Sequence, residues 1–302
     1  MNVSFHTNAF AWAGETDIEK VADFAVKAGF GAIEVGPMFA QDFEKFKNVQ
    51  KKVAISAFIY CRNFIDDNEE NAKREVAILK SKMLFAHSLG VKKIITSTGI
   101  SSKLSMGQSG CDPLASIDKV VEFLNEILEL AEKLDLYICL ENCPMYRNIA
   151  TSPLMWREIF ARIKSERLGI CYDPAHFVWQ MIDVYRPLSE FKDKIYHLHL
   201  KDTEIFREKL DDVGILHNTA KERGFEKNQW WRHTILGDGE IDWNKFLSLV
   251  DLLPRKDLLD MSFEMEDYKY ECVVENVEKA YEIQLQRLQN IDFNSKKLLK
   301  IN

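Results

Sequence analysis

From one end to the other, the chain alternates short runs rich in Val and Ile with amphipathic segments whose apolar residues recur every three or four positions. Strands are predicted at 3–10, 32–36, 53–59, 92–99, 136–142, 168–176, 195–202 and 258–266. Helical spacing fills the intervals: 17–29 with Gly29 as its stop, a helix around 41–50, 68–89, 114–134, a segment near 153–165, the run WNKFLSLVDLL, and a charged amphipathic segment near 271–289. Regular β-α alternation implies a parallel sheet with right-handed crossovers. Eight such units close into an α/β (β/α)8 TIM barrel. The competing arrangement, an open doubly wound sheet, calls for a Gly-rich phosphate loop after the first strand, and none is present. The expectation is a single barrel domain over 1–290, a C-terminal tail over 291–302, a Gly/Ser-rich loop at 99–113, and a long insert over 203–240 after strand 7.

Composition narrows the class. Apolar residues make up 46 % of 302, enough for a large core, and the net charge of −7 argues against a nucleic-acid surface. No run of about 18 apolar residues occurs, so no transmembrane helix is expected. The opening MNVSFHTNAFAW lacks a basic region followed by a long apolar run, so no secretory signal is expected. The six cysteines are scattered without a Cys-x-x-Cys pair, as in a protein with reduced thiols, and a cytoplasmic location is expected.

The polar residues at the strand ends carry the functional signal. Active residues of such barrels sit at the C-terminal ends of the strands. Strand five ends in Glu141, strand six in Asp173, strand seven carries His199, and strand eight ends in Glu264. The segment KIYHLHLKDTE places His197, His199 and Lys201 on one face of its strand. Alternation likewise puts Cys139 with Glu141, Cys171 with Asp173, and Ser262 with Glu264. Taken singly, each acidic residue reads as a buried ion pair or a cap. Taken together, four costly polar residues at equivalent strand positions point to a shared site. Three carboxylates and one imidazole form a hard donor set, suited to one divalent metal, Mn2+ first and Mg2+ or Co2+ next, rather than to structural zinc.

The motifs LEN, YDPAH, HLHLKD, GDGEIDW and FEME, in this order, resemble those of the xylose-isomerase-like TIM-barrel superfamily. That group includes ketose 3-epimerases, hydroxypyruvate isomerase, myo-inosose dehydratase and endonuclease IV. The resemblance covers most of the chain and is carried most strongly by Asp173-x-x-His176 and His199-x-Lys201-Asp202. It implies that Glu141, Asp173, His199 and Glu264 hold one divalent metal and that His176 contacts substrate near it. It implies a sugar isomerase or epimerase in which Glu141 and Glu264 transfer protons on opposite faces of an enediolate. Elimination by the same site, as in an inosose dehydratase or a lyase of 3-keto-glycosides, stays open as the alternative. An endonuclease IV-like nuclease is the distant one, set against the charge and the lack of extra early-strand histidines.

Residues around this set remain ambiguous in sequence. His6 reads either as a substrate contact or as a core histidine. Glu34 reads as a ligand for a hydroxyl or as a partner of Lys201, and Lys201 as a substrate contact or a partner of a barrel carboxylate. Asp202 reads as a brace for the next loop, and Cys139 and Cys143 as packing. The insert carries Trp230, Trp231, Arg232 and His233 just before LGDGEIDW; it reads as a lid with aromatic faces for a sugar or aglycone and with Arg232 and His233 as hydrogen-bonding groups, or else as a loop anchor. The expected partner is a small sugar or glycoside, with no nucleic acid and no membrane. A homo-oligomer is expected, and a small partner subunit is left open.

Overall fold

The structure, a computed structural model, describes residues 1–100, 113–144, 147–215 and 229–301. Its strands are β1 (Val3–Phe5), β2 (Ala32–Val35), β3 (Ala54–Tyr60), β4 (Lys93–Thr96), β5 (Tyr137–Glu141), β6 (Leu168–Tyr172), β7 (Ile195–Leu200), β8 (Asp202–Ile205), β9 (Trp231–Thr234) and β10 (Asp260–Phe263). Eight of them pair in the order β1-β10-β7-β6-β5-β4-β3-β2, every neighbour parallel. The two ends of that order meet where His6 bridges Glu34 and Thr7 N–H donates to the Glu34 carbonyl at 2.9 Å. The fold is a (β/α)8 barrel, and each predicted strand lies over one of its eight staves.

Local chemistry sets the helix ends. Helix Ile18–Ala28 starts at Asp17, whose carboxylate accepts from Glu19 N–H, and stops at Gly29 with φ +89°. Ser152 caps Pro153–Arg162 by accepting from Met155 N–H, and Asn68 caps Glu69–Ser88. Helix Ile117–Lys133 shows how the outer layer attaches: Ile117, Val120, Leu124, Ile127, Leu128 and Ala131 form one buried stripe. Inside the barrel Ala57, Ile59, Cys61, Ile95, Cys139, Cys171 and Tyr196 form a cluster separate from the main core. Among the described residues no helix is long and apolar enough to cross a membrane.

Two segments differ from the sequence reading. The segment read as a tail is docked across the N-terminal end of the barrel: Asn2 bridges Lys300, Phe30 bridges Ile301, and Asp251 accepts from the N–H groups of Asn294 and Ser295. The approach is close enough that a Cβ on Gly31 would fall 2.1 Å from the Lys300 carbonyl oxygen. The insert is not one long loop either. Its two ends pair as the antiparallel hairpin β8–β9, with Thr203 opposite His233 and Glu204 opposite Arg232, and helix Arg207–Val213 follows β8. Residues 216–228 of the insert, and most of the Gly/Ser-rich loop at 99–113, lie outside the described residues.

Asp202 fastens the hairpin as expected. Its carboxylate accepts from Gly237 N–H, Ile241 N–H and the Trp243 indole, and Gly239 passes so close that a Cβ there would lie 2.3 Å from Asp202 Oδ1.

Candidate metal centre

Strand register brings the site together. Tyr172 is paired with Leu198, so the next residue of one strand, Asp173, comes level with His199 of the other. Phe263 is paired with Leu200, so Glu264 comes level with Lys201. Glu141 closes β5 beside Cys171. Donor atoms of Glu141, Asp173, His199 and Glu264 all lie within 4.8 Å of one another, and all four residues are buried.

His199 is the hub. Its Nδ1 lies 3.0 Å from Glu141 Oε1 and 3.3 Å from Glu264 Oε2. Its Nε2 lies 3.2 and 3.3 Å from the two oxygens of Glu34. A carboxylate only accepts, so Glu34 keeps a proton on Nε2 and turns Nδ1 toward the donor cluster. Glu34 also stands 2.7 Å from His197 Nε2. Burial alone would raise the Glu34 pKa; the imidazoles of His199 and His197 overcome it and hold the group well below the usual carboxylate range. The readings of Glu34 as a hydroxyl ligand or a partner of Lys201 give way to this bracing position.

Lys201 is fully enclosed. Its Nζ lies 2.6 Å from Glu264 Oε2, 3.0 Å from Asp173 Oδ2, 3.0 Å from Glu266 Oε2 and 3.3 Å from His176 Nε2. Its ammonium is therefore engaged by carboxylates. Glu266 was not singled out in the sequence, although it follows Glu264 by two positions and alternation places it on the same side. Cys61, at the end of β3, was also missed; its thiol donates to Glu141 Oε2 at 3.3 Å.

His176 and His233 stand with ring centroids 5.0 Å apart, and His233 Nε2 is buried without a hydrogen-bond partner, 3.9 Å from Glu266. His6 Nδ1 is 3.6 Å from Glu264 Oε1, and its Nε2 is likewise unpartnered. Arg232 behaves differently from the substrate-binding reading: it lies buried in the hairpin, its guanidinium held by Glu204 at 2.6 Å and Asp267 at 2.9 Å. Trp230 is buried too, and half-buried Trp231 stacks on Trp179 with centroids 4.6 Å apart and planes 4° apart. A cavity of about 60 Å³ opens over the cluster, lined in part by His6, Asn8, Cys61, Glu141, Cys143 and Glu264. A groove of about 460 Å³ between helices Glu69–Ser88 and Ile117–Lys133 contains none of these groups.

The donor set fits a divalent cation. The buried carboxylates of Glu34, Glu141, Asp173 and Glu264, with half-buried Glu266 beside them, outnumber the cationic partners Lys201 and His199. Asp173 Oδ2 is buried and makes no hydrogen bond of good geometry. Burial, with the charges of Glu264 and Glu141 added, pushes its pKa upward against the pull of Lys201. A further positive charge at this point satisfies the excess, and oxygen donors with one imidazole suit a hard ion.

Known proteins with this architecture are widespread. A family model described as xylose isomerase-like TIM barrel matches residues 22–291. No curated protein sequence matches the chain. Among solved structures, the probable 3-DHS dehydratase AsbF involved in petrobactin synthesis from Bacillus anthracis superposes with a TM-score of 0.72 at 17 % identity, over 97 % of this chain and 100 % of its own. The IOLI protein with a bound zinc atom gives 0.69 at 18 % identity, over 97 % and 99 %. D-psicose 3-epimerase from Clostridium cellulolyticum H10, solved with D-tagatose, gives 0.67 at 13 % identity, over 96 % and 99 %. At such identities the solved structures speak for the fold alone, whereas the family model covers most of the sequence: the chain belongs to the xylose isomerase-like TIM barrel family.

Proposed function

We propose that this protein is a divalent-metal-dependent enzyme that removes and returns a proton at a carbon beside the carbonyl of a polyhydroxylated substrate, as a sugar isomerase or epimerase does. The observation that carries this reading is the convergence of Glu141, Asp173, His199 and Glu264 within 4.8 Å in a buried site with excess negative charge. An ion held by these residues, Mn2+ in preference to Mg2+ or Co2+, would polarise the carbonyl and acidify the neighbouring C–H. The two glutamates then handle the proton. Each keeps an oxygen away from His199: Glu141 Oε2 beside the Cys61 thiol, Glu264 Oε1 facing His6. One takes the proton and the other gives one back, which gives epimerisation when the two act on opposite faces of an enediolate. Lys201 fixes Glu264 and Asp173, His6 lines the cavity over the cluster, and His176 Nε2 stands 3.3 Å from Asp173 Oδ2.

Dehydration is the second reading, and His233 favours it. Its unpartnered, buried Nε2 beside His176 and Glu266 is a further polar group at the site; burial and the Lys201 charge hold its pKa well below the usual histidine range, so it would serve a leaving β-hydroxyl as a neutral hydrogen-bonding group. Solved proteins of this fold named as a dehydratase and as 3-epimerases agree with both readings. The glycoside-lyase alternative loses much of its aromatic platform, because Trp230 is buried and one face of Trp231 is covered by Trp179.

The test is a screen of metal-loaded protein in D2O over ketoses, inososes and 3-keto-glycosides, reading deuterium uptake and product. Glu141→Gln and Glu264→Gln should each lower exchange by about 10²–10⁴-fold. Exchange that persists in both variants, or that occurs on no carbonyl substrate with any of the three metals, rejects the reading.

A further inference from the structure

Beside the first ligand set, and sharing Glu141 with it, the structure contains another grouping of ligand atoms, whose Cys143 the proposed chemistry does not use. Donor atoms of Glu141, Cys143 and His176 lie within 4.8 Å of one another, and all three residues are buried. Cys143 follows Glu141 by two positions just beyond β5, and His176 lies in the short helix Ala175–Trp179 after β6. One His176 nitrogen faces Lys201 at 3.3 Å; the other, Nδ1, is buried without a hydrogen-bond partner. A thiol, an imidazole and a carboxylate at this spacing differ in kind from the oxygen-rich set beside them. They are the ligand types that Zn2+ and related soft ions select.

We propose that Glu141, Cys143 and His176 form a second cation site, selective for thiophilic ions such as Zn2+ and Cd2+, that overlaps the first at Glu141. Binding replaces the S–H bond of Cys143 with a sulfur–metal bond and releases one proton to solvent, with no change of oxidation state. The positive charge of Lys201 does not bar the ion, because Asp173, Glu264 and Glu266 already offset it. An ion in this site draws on the Glu141 carboxylate and withholds it from proton transfer. Soft metals in excess should therefore inhibit the enzyme even when the first site holds Mn2+. Only this last consequence rests on the proposed function; the binding itself does not.

The experiment separates the two. Protein carrying one equivalent of Mn2+ is titrated with Cd2+ alone, and thiolate-to-metal charge-transfer absorption and bound equivalents are measured together. The wild-type protein should take up one further equivalent with the ultraviolet band. Cys143→Ser should lose the band and weaken the second equivalent by at least about tenfold, the lower end of what loss of even an outer-shell partner costs a metal. His176→Gln should keep the band but bind at least about tenfold more weakly, a check that does not depend on Cys143→Ser folding well. Cys61→Ser, which removes a thiol near Glu141 but outside the grouping, should keep the full band. A wild-type protein with no thiolate band, a band unchanged in Cys143→Ser, or one lost in Cys61→Ser overturns the site. Absence of any epimerase or dehydratase turnover would leave these readouts unmoved and count only against the proposed function.

Discussion

Replacing Glu34 by Gln tests the idea that a residue outside the ligand set controls the metal. Glu34 is fully buried and faces two imidazoles, His197 Nε2 at 2.7 Å and His199 Nε2 at 3.2 and 3.3 Å. Gln has nearly the same shape, but it offers one acceptor oxygen and one N–H2 donor where the carboxylate offers two acceptors. It can satisfy one imidazole N–H; the other then meets a donor. The tautomer of His199 that leaves Nδ1 free for a metal is no longer enforced. Loss of such an outer-shell carboxylate costs roughly 10–100-fold in metal affinity, which is about 1.4–2.8 kcal/mol. The metal-free protein should lose about 1–3 kcal/mol of stability, as expected when a buried hydrogen-bonding group is left without its partner. Mn2+ binding by titration calorimetry on metal-free wild type and Glu34→Gln measures the first effect, and urea unfolding measures the second. If Glu34→Gln binds Mn2+ within about twofold of wild type, Glu34 does not orient His199 and the bracing argument fails.

The other predictions bear on different parts of the molecule. His199→Ala should lose bound metal by elemental analysis while circular dichroism shows the fold retained; full occupancy would remove His199 from the ligand set. Asp260→Asn leaves the buried Lys93 ammonium without its carboxylate and should lower stability by about 3 kcal/mol near neutral pH. Burial pushes the Asp260 pKa up, but Lys93, His197 and the Asn2 N–H hold it below its usual value, so its contribution is present above the unfolded pKa and lost as pH falls through the lower, folded one. The gap between wild type and Asp260→Asn in urea unfolding should therefore shrink in acid, and a gap constant with pH would refute the assignment. Trp231→Ala should raise KM or alter preference among sugars with metal content unchanged, whereas Trp230→Ala should cost about 3–5 kcal/mol of stability, because it removes a buried indole; the reverse pattern would exchange their roles.

The parts that were legible in the sequence are those written in local patterns. Most barrel strands announce themselves by short apolar runs, often of Val and Ile, and the longer helices by a stripe such as Ile117, Val120, Leu124 and Ile127, although helix Asn8–Trp12 begins inside the first predicted strand. The four candidate ligands could be read because their position at strand ends repeats, and a repeated costly feature needs no knowledge of contacts. What escaped depends on partners far along the chain. Glu34 meets His199 across 165 positions, and Arg232 reaches Asp267 across 35. Nothing near Arg232 indicates that its charge is already matched. The C-terminal segment looks like a tail because its docking surface is formed by Asn2 and Phe30, at the opposite end of the sequence. The hairpin was hidden for a similar reason: Asp202–Ile205 is short, and its pairing with Trp231–Thr234 is decided by the partner strand more than by its own propensity.

Among the described residues, buried ionic assemblies stand at the two opposite ends of the barrel interior, and the contrast between them is the best physical ground for placing the chemistry. At its N-terminal end, Lys93 and Asp260 open β4 and β10 and pair one to one; the Leu258 carbonyl takes a further Lys93 N–H, and Asn2 N–H donates to the other carboxylate oxygen. Charge and hydrogen-bonding capacity are matched by the chain itself, and such a pair has no opening for a ligand. At the C-terminal end the same barrel gathers Glu34, Glu141, Asp173, Glu264 and Glu266 around Lys201 and His199, and leaves His6 Nε2, His176 Nδ1 and His233 Nε2 without partners. Taking an unmatched carboxylate out of water costs several kcal/mol even after relaxation. Hydrophobic residues of similar size would relieve that cost if these positions served only to fill the barrel. The imbalance is confined to the end where the strands open onto the cavity. Its sign calls for a cation, and its unpartnered imidazole nitrogens are left free to meet a ligand. By linkage, a bound divalent ion then stabilises the fold at the place where the chain alone leaves charge unmatched.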